Sequence, residues 1–293
     1  MEGVRLYREP VLNSPFMVAA WPGMGGVAVV AARYLRDKLD AQEFGEIEPY
    51  DFFDPNVVLI QDNIVKEPEF PENKFYLREG GGEGDLIIFI GEEQPVIWGY
   101  KLANRILDVA QRFKAKRVYT FAAAPSHIYH AKKPRILGVT TNPKLTPELS
   151  KHGLTLMTEG NISGMNGLLL GVAKERNIDG VCLLGEIPIY TTQIANPRSS
   201  EAVLQVLSQM ADVKIDVTEI DNWAKKTDEE MEENIDRLRR SFGEEAKTLI
   251  DYLDQLKQRM SEEELGIQQE YQMEQLLEEI EQFLRGKGKK GEN

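Results

Sequence analysis

Reactive side chains are scarce in this chain. It has one cysteine, Cys182, and three histidines, His127, His130 and His152. A single cysteine excludes an intrachain disulfide, and its apolar setting, Gly180-Val181-Cys182-Leu183-Leu184, predicts a buried, inert thiol. His127 and His130 stand three apart, a spacing that shares a helical face, yet no third ligand follows at metal spacing, so no metal and no cofactor is expected. Positive charge is short as well: 35 Lys and Arg face 48 Asp and Glu, a net charge of -13. Such a surface repels a phosphate backbone, and with no basic stripe interleaved with aromatics, nucleic acid is excluded as a partner. No apolar run approaches the roughly 20 residues of a membrane span, and the N-terminus shows no basic-then-apolar signal region. The expectation is a cytoplasmic protein without membrane contact.

What is present is a regular alternation. The strand-like run Pro15 to Trp21 breaks into Pro22-Gly23-Met24-Gly25-Gly26 and continues as a helix-like run from Val27 to Leu35. Asp85 to Ile90 reads as a strand, Val96 to Phe113 has apolar residues at helical spacing, and Arg117 to Phe121 reads as the next strand. Further strands are expected over 135–140, 154–157 and 181–184, with a helix from Leu168 to Ala173. The pattern predicts an α/β fold of three layers, a mostly parallel sheet flanked by helices. Residues 50–84, punctuated by Pro55, Pro68, Pro71 and Gly80-Gly81-Gly82, read as a β-rich excursion at a sheet edge.

After about Asp212 glycine and proline nearly vanish and acidic residues crowd in. Thr227-Asp228-Glu229-Glu230 and Ser261-Glu262-Glu263-Glu264 each read as a capping box opening an amphipathic helix. Leu276, Leu277, Ile280, Phe283 and Leu284 continue the apolar stripe. The expected organisation is an α/β domain over 1–212, an acidic α-helical extension over 213–285 and a disordered tail over 286–293.

Candidate binding residues lie at strand ends, where parallel sheets place ligands. Gly23, Gly25 and Gly26 allow a tight turn whose N–H groups suit an anion, or equally a turn that only packs closely. Glu46 and Glu48 are the acidic residues at the distance a dinucleotide fold would use for the ribose. Glu92, His127 and Glu186 follow three predicted strands, and Asn161 and Asn166 flank a predicted helix start. Converging, they would offer acid–base groups to a small anionic or nucleoside-like ligand; the competing reading is that they cap helices and hold loops.

Several segments together resemble the proteasome assembly chaperone 2 family: Trp21-Pro22-Gly23-Met24-Gly25-Gly26-Val27-Ala28, Ile90-Gly91-Glu92-Glu93-Gln94-Pro95, Gly160-Asn161-Ile162-Ser163-Gly164-Met165-Asn166-Gly167, Leu183-Leu184-Gly185-Glu186-Ile187-Pro188 and Asn196-Pro197-Arg198-Ser199-Ser200. The resemblance covers roughly residues 10 to 212. It implies a fold similar to the purine nucleoside phosphorylase and hydrolase type, a homo-oligomer of three or more copies, and a non-enzymatic assembly role with proteasome subunits or another protein client as partner. It also leaves a ligase- or phosphorylase-like enzyme or sensor as the alternative, a label that rests on fold alone.

Overall fold

The computed structural model describes residues 2–80 and 84–265. In chain order these form β1 (Val4–Leu6), β2 (Phe16–Ala20), α1 (Val27–Lys38), β3 (Gln42–Ile47), β4 (Ile60–Gln61), β5 (Ile64–Val65), β6 (Asn73–Arg78), β7 (Leu86–Gly91), α2 (Gly99–Arg112), β8 (Arg117–Ser126), β9 (Ile136–Thr140), α3 (Thr146–Lys151), β10 (Thr155–Leu156), α4 (Met165–Glu175), β11 (Gly180–Pro188), α5 (Pro197–Ala211) and α6 (Thr218–Phe242). A last helix, α7, covers 247–265. The chain divides into two compact units, 1–126 with 133–230, and 127–132 with 231–293.

In the first unit the described strands build a sheet in the order β1-β3-β6-β7-β2-β8-β11-β9-β10. Its centre is parallel: β2 pairs with β7 and β8, and β8 with β11. Towards both edges the sheet turns antiparallel, through β6 on β7, β3 on β6 and β1 on β3 on one side, and β9 on β11 on the other. The predicted three-layer architecture is present as a mixed sheet with a parallel core. Residues 50–84 supply the separate hairpin β4–β5 and the sheet strand β6.

Period-two alternation decides which side chains each helical layer receives. Phe16, Val18 and Ala20 of β2 join a core with Val27, Ala31 and Leu35 of α1 and Val203, Leu204 and Leu207 of α5. Met17 and Ala19 point the other way, into a core with Leu102, Ile106 and Val109 of α2 and Leu169 and Val172 of α4. Because both faces are covered, the central strands read as unbroken apolar runs; β7 is buried along its whole length. Cys182 is fully buried in β11, and burial pushes its thiol up to about 12.

The helix from Thr218 begins nine residues before the Thr227 box. Asp216 starts it, with Oδ1 accepting from the Thr218 N–H at 3.0 Å and the Thr218 hydroxyl at 2.6 Å. Thr227 lies inside α6, its hydroxyl donating to the Trp223 carbonyl at 2.9 Å, and Ser261 inside α7 donates to the Lys257 carbonyl at 3.2 Å. Both expected capping boxes are therefore corrected to mid-helix residues: Ser and Thr also bond to the carbonyl four residues back, so the motif alone does not mark a start.

In the second unit the end of α6 and α7 run antiparallel, joined by Glu232–Lys257 at 3.0 Å and Arg239–Asp254 at 2.8 Å. Ile235, Ile250, Leu253 and Leu256 are buried there with Ile128 and Tyr129 of the 127–132 loop. The stripe Leu276 to Leu284, the tail 286–293 and Gly81-Gly82 lie outside the described residues.

Candidate functional site

The sequence segments that stood out gather at the carboxyl end of the parallel strands, where they tie one another together. Just past β2, the Trp21 N–H donates to Asn166 Oδ1 at 3.2 Å and Asn166 Nδ2 donates to the Trp21 carbonyl at 3.4 Å. One buried amide thus satisfies both backbone groups of a residue that has left the sheet. Gln94 does the same between two other segments: Nε2 donates to the Pro22 carbonyl at 2.5 Å, and Oε1 accepts the Met165 N–H at the start of α4 at 2.9 Å. Gly164 has φ +75°, and a Cβ there would stand 2.3 Å from Gln94 Oε1, so this turn requires glycine on both counts.

The glycine turn after β2 is held from the far side. The Gly25 N–H donates to the Thr192 carbonyl at 2.7 Å, the Gly25 carbonyl accepts the Asn196 N–H at 2.8 Å, and the Gly26 N–H closes on the Gly23 carbonyl at 3.0 Å. Gly25 and Gly26 both have φ +61°. Their N–H groups serve the fold's own carbonyls, which is the close-packing alternative for this turn. Glu46 and Glu48 pair with Arg5 at 3.3 and 2.8 Å on the β1–β3 edge, well occupied there.

Glu186 is buried near the end of β11 and receives the Arg135 backbone N–H at 3.0 Å, Nε at 3.0 Å and Nη2 at 2.6 Å. Burial alone raises a carboxyl; here the Arg135 hydrogen bonds and charge outweigh it and hold Glu186 below the ordinary glutamate range. Glu92 is exposed and accepts the Glu72 N–H at 2.9 Å, fastening β7 to the start of β6. His127 belongs to the second unit, where Nδ1 lies 2.8 Å from the Tyr252 hydroxyl. Among the described residues no group of three or more His, Cys, Asp or Glu has the geometry to hold a metal ion.

Two concavities flank Gln94. The smaller, about 370 Å³, is lined by Gly23, Met24, Asn161, Ser163, Asn166 and Leu184 among others, so three of the candidate residues, Gly23, Asn161 and Asn166, meet here. The larger, about 730 Å³, runs between Tyr50–Val57 and Glu93–Trp98. Its walls leave Tyr50, Val57, Val96, Ile97 and Trp98 exposed, with Asp54, Glu69 and Glu93 at its margin. Asp51 lines it too and pairs with Lys101 at 3.0 Å and Arg105 at 2.6 Å. Trp98 stands at the N-cap of α2 with φ +67°, a left-handed conformation that costs a bulky side chain ~1–2 kcal/mol, and its side chain is exposed. Neither Gln94 nor Trp98 stands out from sequence: Gln94 shows only as the one amide in Gly91-Glu92-Glu93-Gln94-Pro95, and Trp98 reads as part of a helix.

The site thus lies on a three-layer α/β body whose rim is cross-tied by its own amides, beside an open groove of mixed polar and apolar lining. Residues 17–235 match the PAC2 family model, and the chain belongs to the PAC2 family. It is 30% identical over 241 residues to the uncharacterized protein MJ1210 of Methanocaldococcus jannaschii, covering 81% of this chain and 87% of that one. Among solved structures it is similar to PbaB of Pyrococcus furiosus, an archaeal proteasome activator, at 29% identity and a TM-score of 0.67, covering 78% of this chain and 97% of PbaB. PbaA of the same organism, an archaeal homolog of proteasome-assembly chaperone, shares the fold at 24% identity and a TM-score of 0.63, with 85% and 99% covered. No helix among the described residues is long and apolar enough to cross a membrane.

Proposed function

We propose that this chain is a non-enzymatic, assembly-type protein that acts in the cytoplasm as a homo-oligomer of three or more copies, with proteasome subunits or another protein client as its partner. Membership of the PAC2 family and similarity to PbaB support the partner class. The observation that carries the reading is the division of labour at the strand ends. Gln94, Asn166, Gly25 and Glu186 spend their polar groups on the fold, while the adjoining groove keeps Trp98 and its aliphatic neighbours bare. Exposed aromatic anchors beside a carboxylate margin are what a protein contact uses.

The test is to mix the purified chain with 20S proteasome particles of the same source and weigh the products by native mass spectrometry. A complex that Trp98→Glu weakens tenfold or more is the expected result. A chain that runs as a bare monomer and forms no complex refutes the proposal.

The 370 Å³ pocket favours a second reading, in which Gly23 and Asn161 contact a small anionic or nucleoside-like ligand. A thermal-shift panel of nucleosides, nucleotides and amino acids examines it, since a ligand at 100 times its Kd adds about 2.7 kcal/mol of stability. No shift across the panel removes this second reading.

A further inference from the structure

The charges of the 730 Å³ groove are all of one sign. Asp51, Asp54, Glu69 and Glu93 line it, and none of the described residues lining it is Lys or Arg, in a chain whose acids outnumber its bases only 48 to 35. Asp51 has its counter-ions in Lys101 and Arg105. Asp54, Glu69 and Glu93 are exposed, and among the described residues none of the three stands in an ion pair. Elsewhere on this unit carboxylates do find cations: Lys74 meets Glu43 and Glu72, and Arg5 meets Glu46 and Glu48.

Two aromatic rings stand among these acids. Tyr50 is 70% exposed and Trp98 62%, with Ile97 beside them. A ring face and a carboxylate attract the same kind of group, an ammonium or a guanidinium. A wholly apolar segment laid here would strip water from three carboxylates and give them nothing in return. An acidic one would add repulsion, and that includes most of the surface of a second copy, at net charge -13. Charge complementarity therefore selects a segment that carries Lys or Arg among its apolar residues.

We propose that this groove takes a cationic, apolar-anchored segment of the client protein. Its Lys or Arg side chains meet Asp54, Glu69 and Glu93, and its apolar side chains meet Ile97 and Trp98. The proposal rests on the client-binding reading above and adds the chemistry of the segment bound. The two kinds of contact leave different kinetic marks. Exposed rim charges act on the approach, in the association rate and its salt dependence, whereas an anchor buried on binding acts on the dissociation rate.

Biolayer interferometry on immobilised 20S particles of the same source, in 0.1 M and 1 M NaCl, tests it with the full chain. Wild type is compared with Asp54→Asn/Glu69→Gln/Glu93→Gln, with Trp98→Ala, and with Glu2→Gln/Glu159→Gln/Glu229→Gln, which removes the same charge from exposed sites off the groove. In 0.1 M salt the groove triple should associate about fivefold more slowly than wild type or worse, and the off-groove triple within about twofold of it. The difference should close in 1 M salt, where the screening length falls from ~10 Å to ~3 Å. Trp98→Ala should instead raise the dissociation rate about tenfold. If circular dichroism shows that the groove triple has not folded, Glu69→Gln and Glu93→Gln apart should each slow association about twofold. A complex that forms while the groove variants associate no more slowly than the off-groove triple overturns this proposal and leaves the client reading standing. So does a groove triple that changes only the mass of the free protein, which would give the groove to a second copy. If no complex forms, the client reading fails and this proposal with it.

Discussion

Replacing Glu186 by glutamine isolates one buried charge. In the native protein its carboxylate receives three N–H groups, all from Arg135, two of them from the guanidinium. Gln keeps one acceptor oxygen but turns an NH₂ towards a guanidinium that can only donate. Charge-assisted hydrogen bonds contribute ~1.5–3 kcal/mol each, and breaking a buried pair costs ~3–5 kcal/mol. Arg135 is 65% exposed, so water takes over much of what it loses. The expected cost of Glu186→Gln is therefore ~2–3 kcal/mol at pH 7, a fall in Tm of about 5–10 °C for a domain of this size. Glu186 lies below the ordinary glutamate value of 4.5, so its contribution is complete above that value and is lost as pH falls through the lowered pKa. Thermal melts of both proteins at pH 7 and at successively lower pH should show a gap that is constant down to about pH 5 and narrows once pH falls through the lowered pKa. Other depressed carboxyls, Glu148 and Glu232, titrate in both proteins alike and drop out of the difference. A gap under 1 °C at pH 7, or one that widens as pH falls below 4.5, would refute the role given to this pair.

Three further outcomes follow from packing. Gly91→Ala places a Cβ 2.2 Å from Nε1 of the fully buried Trp21, and should cost ~2–3 kcal/mol or more by urea denaturation, since overpacking a rigid core costs that much. Gly171→Ala sits in α4 with nothing within 4 Å of the new Cβ, so the same assay should show ~0.5–1 kcal/mol of added stability from helix propensity alone. Cys182, buried with its thiol at about 12, should resist a thiol-reactive dye at pH 8 in the native protein and react fully in 6 M guanidinium; rapid native labelling would place it at a surface.

The parallel centre of the sheet was legible because its strands are covered on both faces. Leu86-Ile87-Ile88-Phe89-Ile90 and Val181-Cys182-Leu183-Leu184 can do little else with so much apolar surface. The edge strands β1 and β3 were not, although β9 and β10 at the opposite edge fall within the runs 135–140 and 154–157. Gln42-Glu43-Phe44-Gly45-Glu46-Ile47 carries two acids and a glycine, and as an outer strand, bounded by the short β1, it has no need of a continuous apolar run. At the rim, the glycine segments drew notice through backbone permissiveness, and Gly23, Asn161 and Asn166 do line one pocket. His127 read as a strand-end group because β8 precedes it, but its ring partner Tyr252 lies 125 residues on, a pairing no local pattern encodes. Gln94 was hidden for the same reason: its partners, Pro22 and Met165, are each about 70 residues away.

That reach governs the order of events during synthesis. Trp21 needs Asn166, Pro22 needs Gln94, and Gly25 needs Thr192 and Asn196, so the earliest strand of the sheet centre stays incompletely satisfied until some 175 further residues have been made. A ribosome adding ~5–20 residues each second would hold the growing N-terminal half in that open state for ~9–35 s. Local closure cannot shorten the wait, because the partner residues do not exist until they have been synthesised. Through that interval Phe16 to Trp21 is an apolar segment in search of cover, and the nascent chain is itself a client for whatever shields such segments before its own clasp can close.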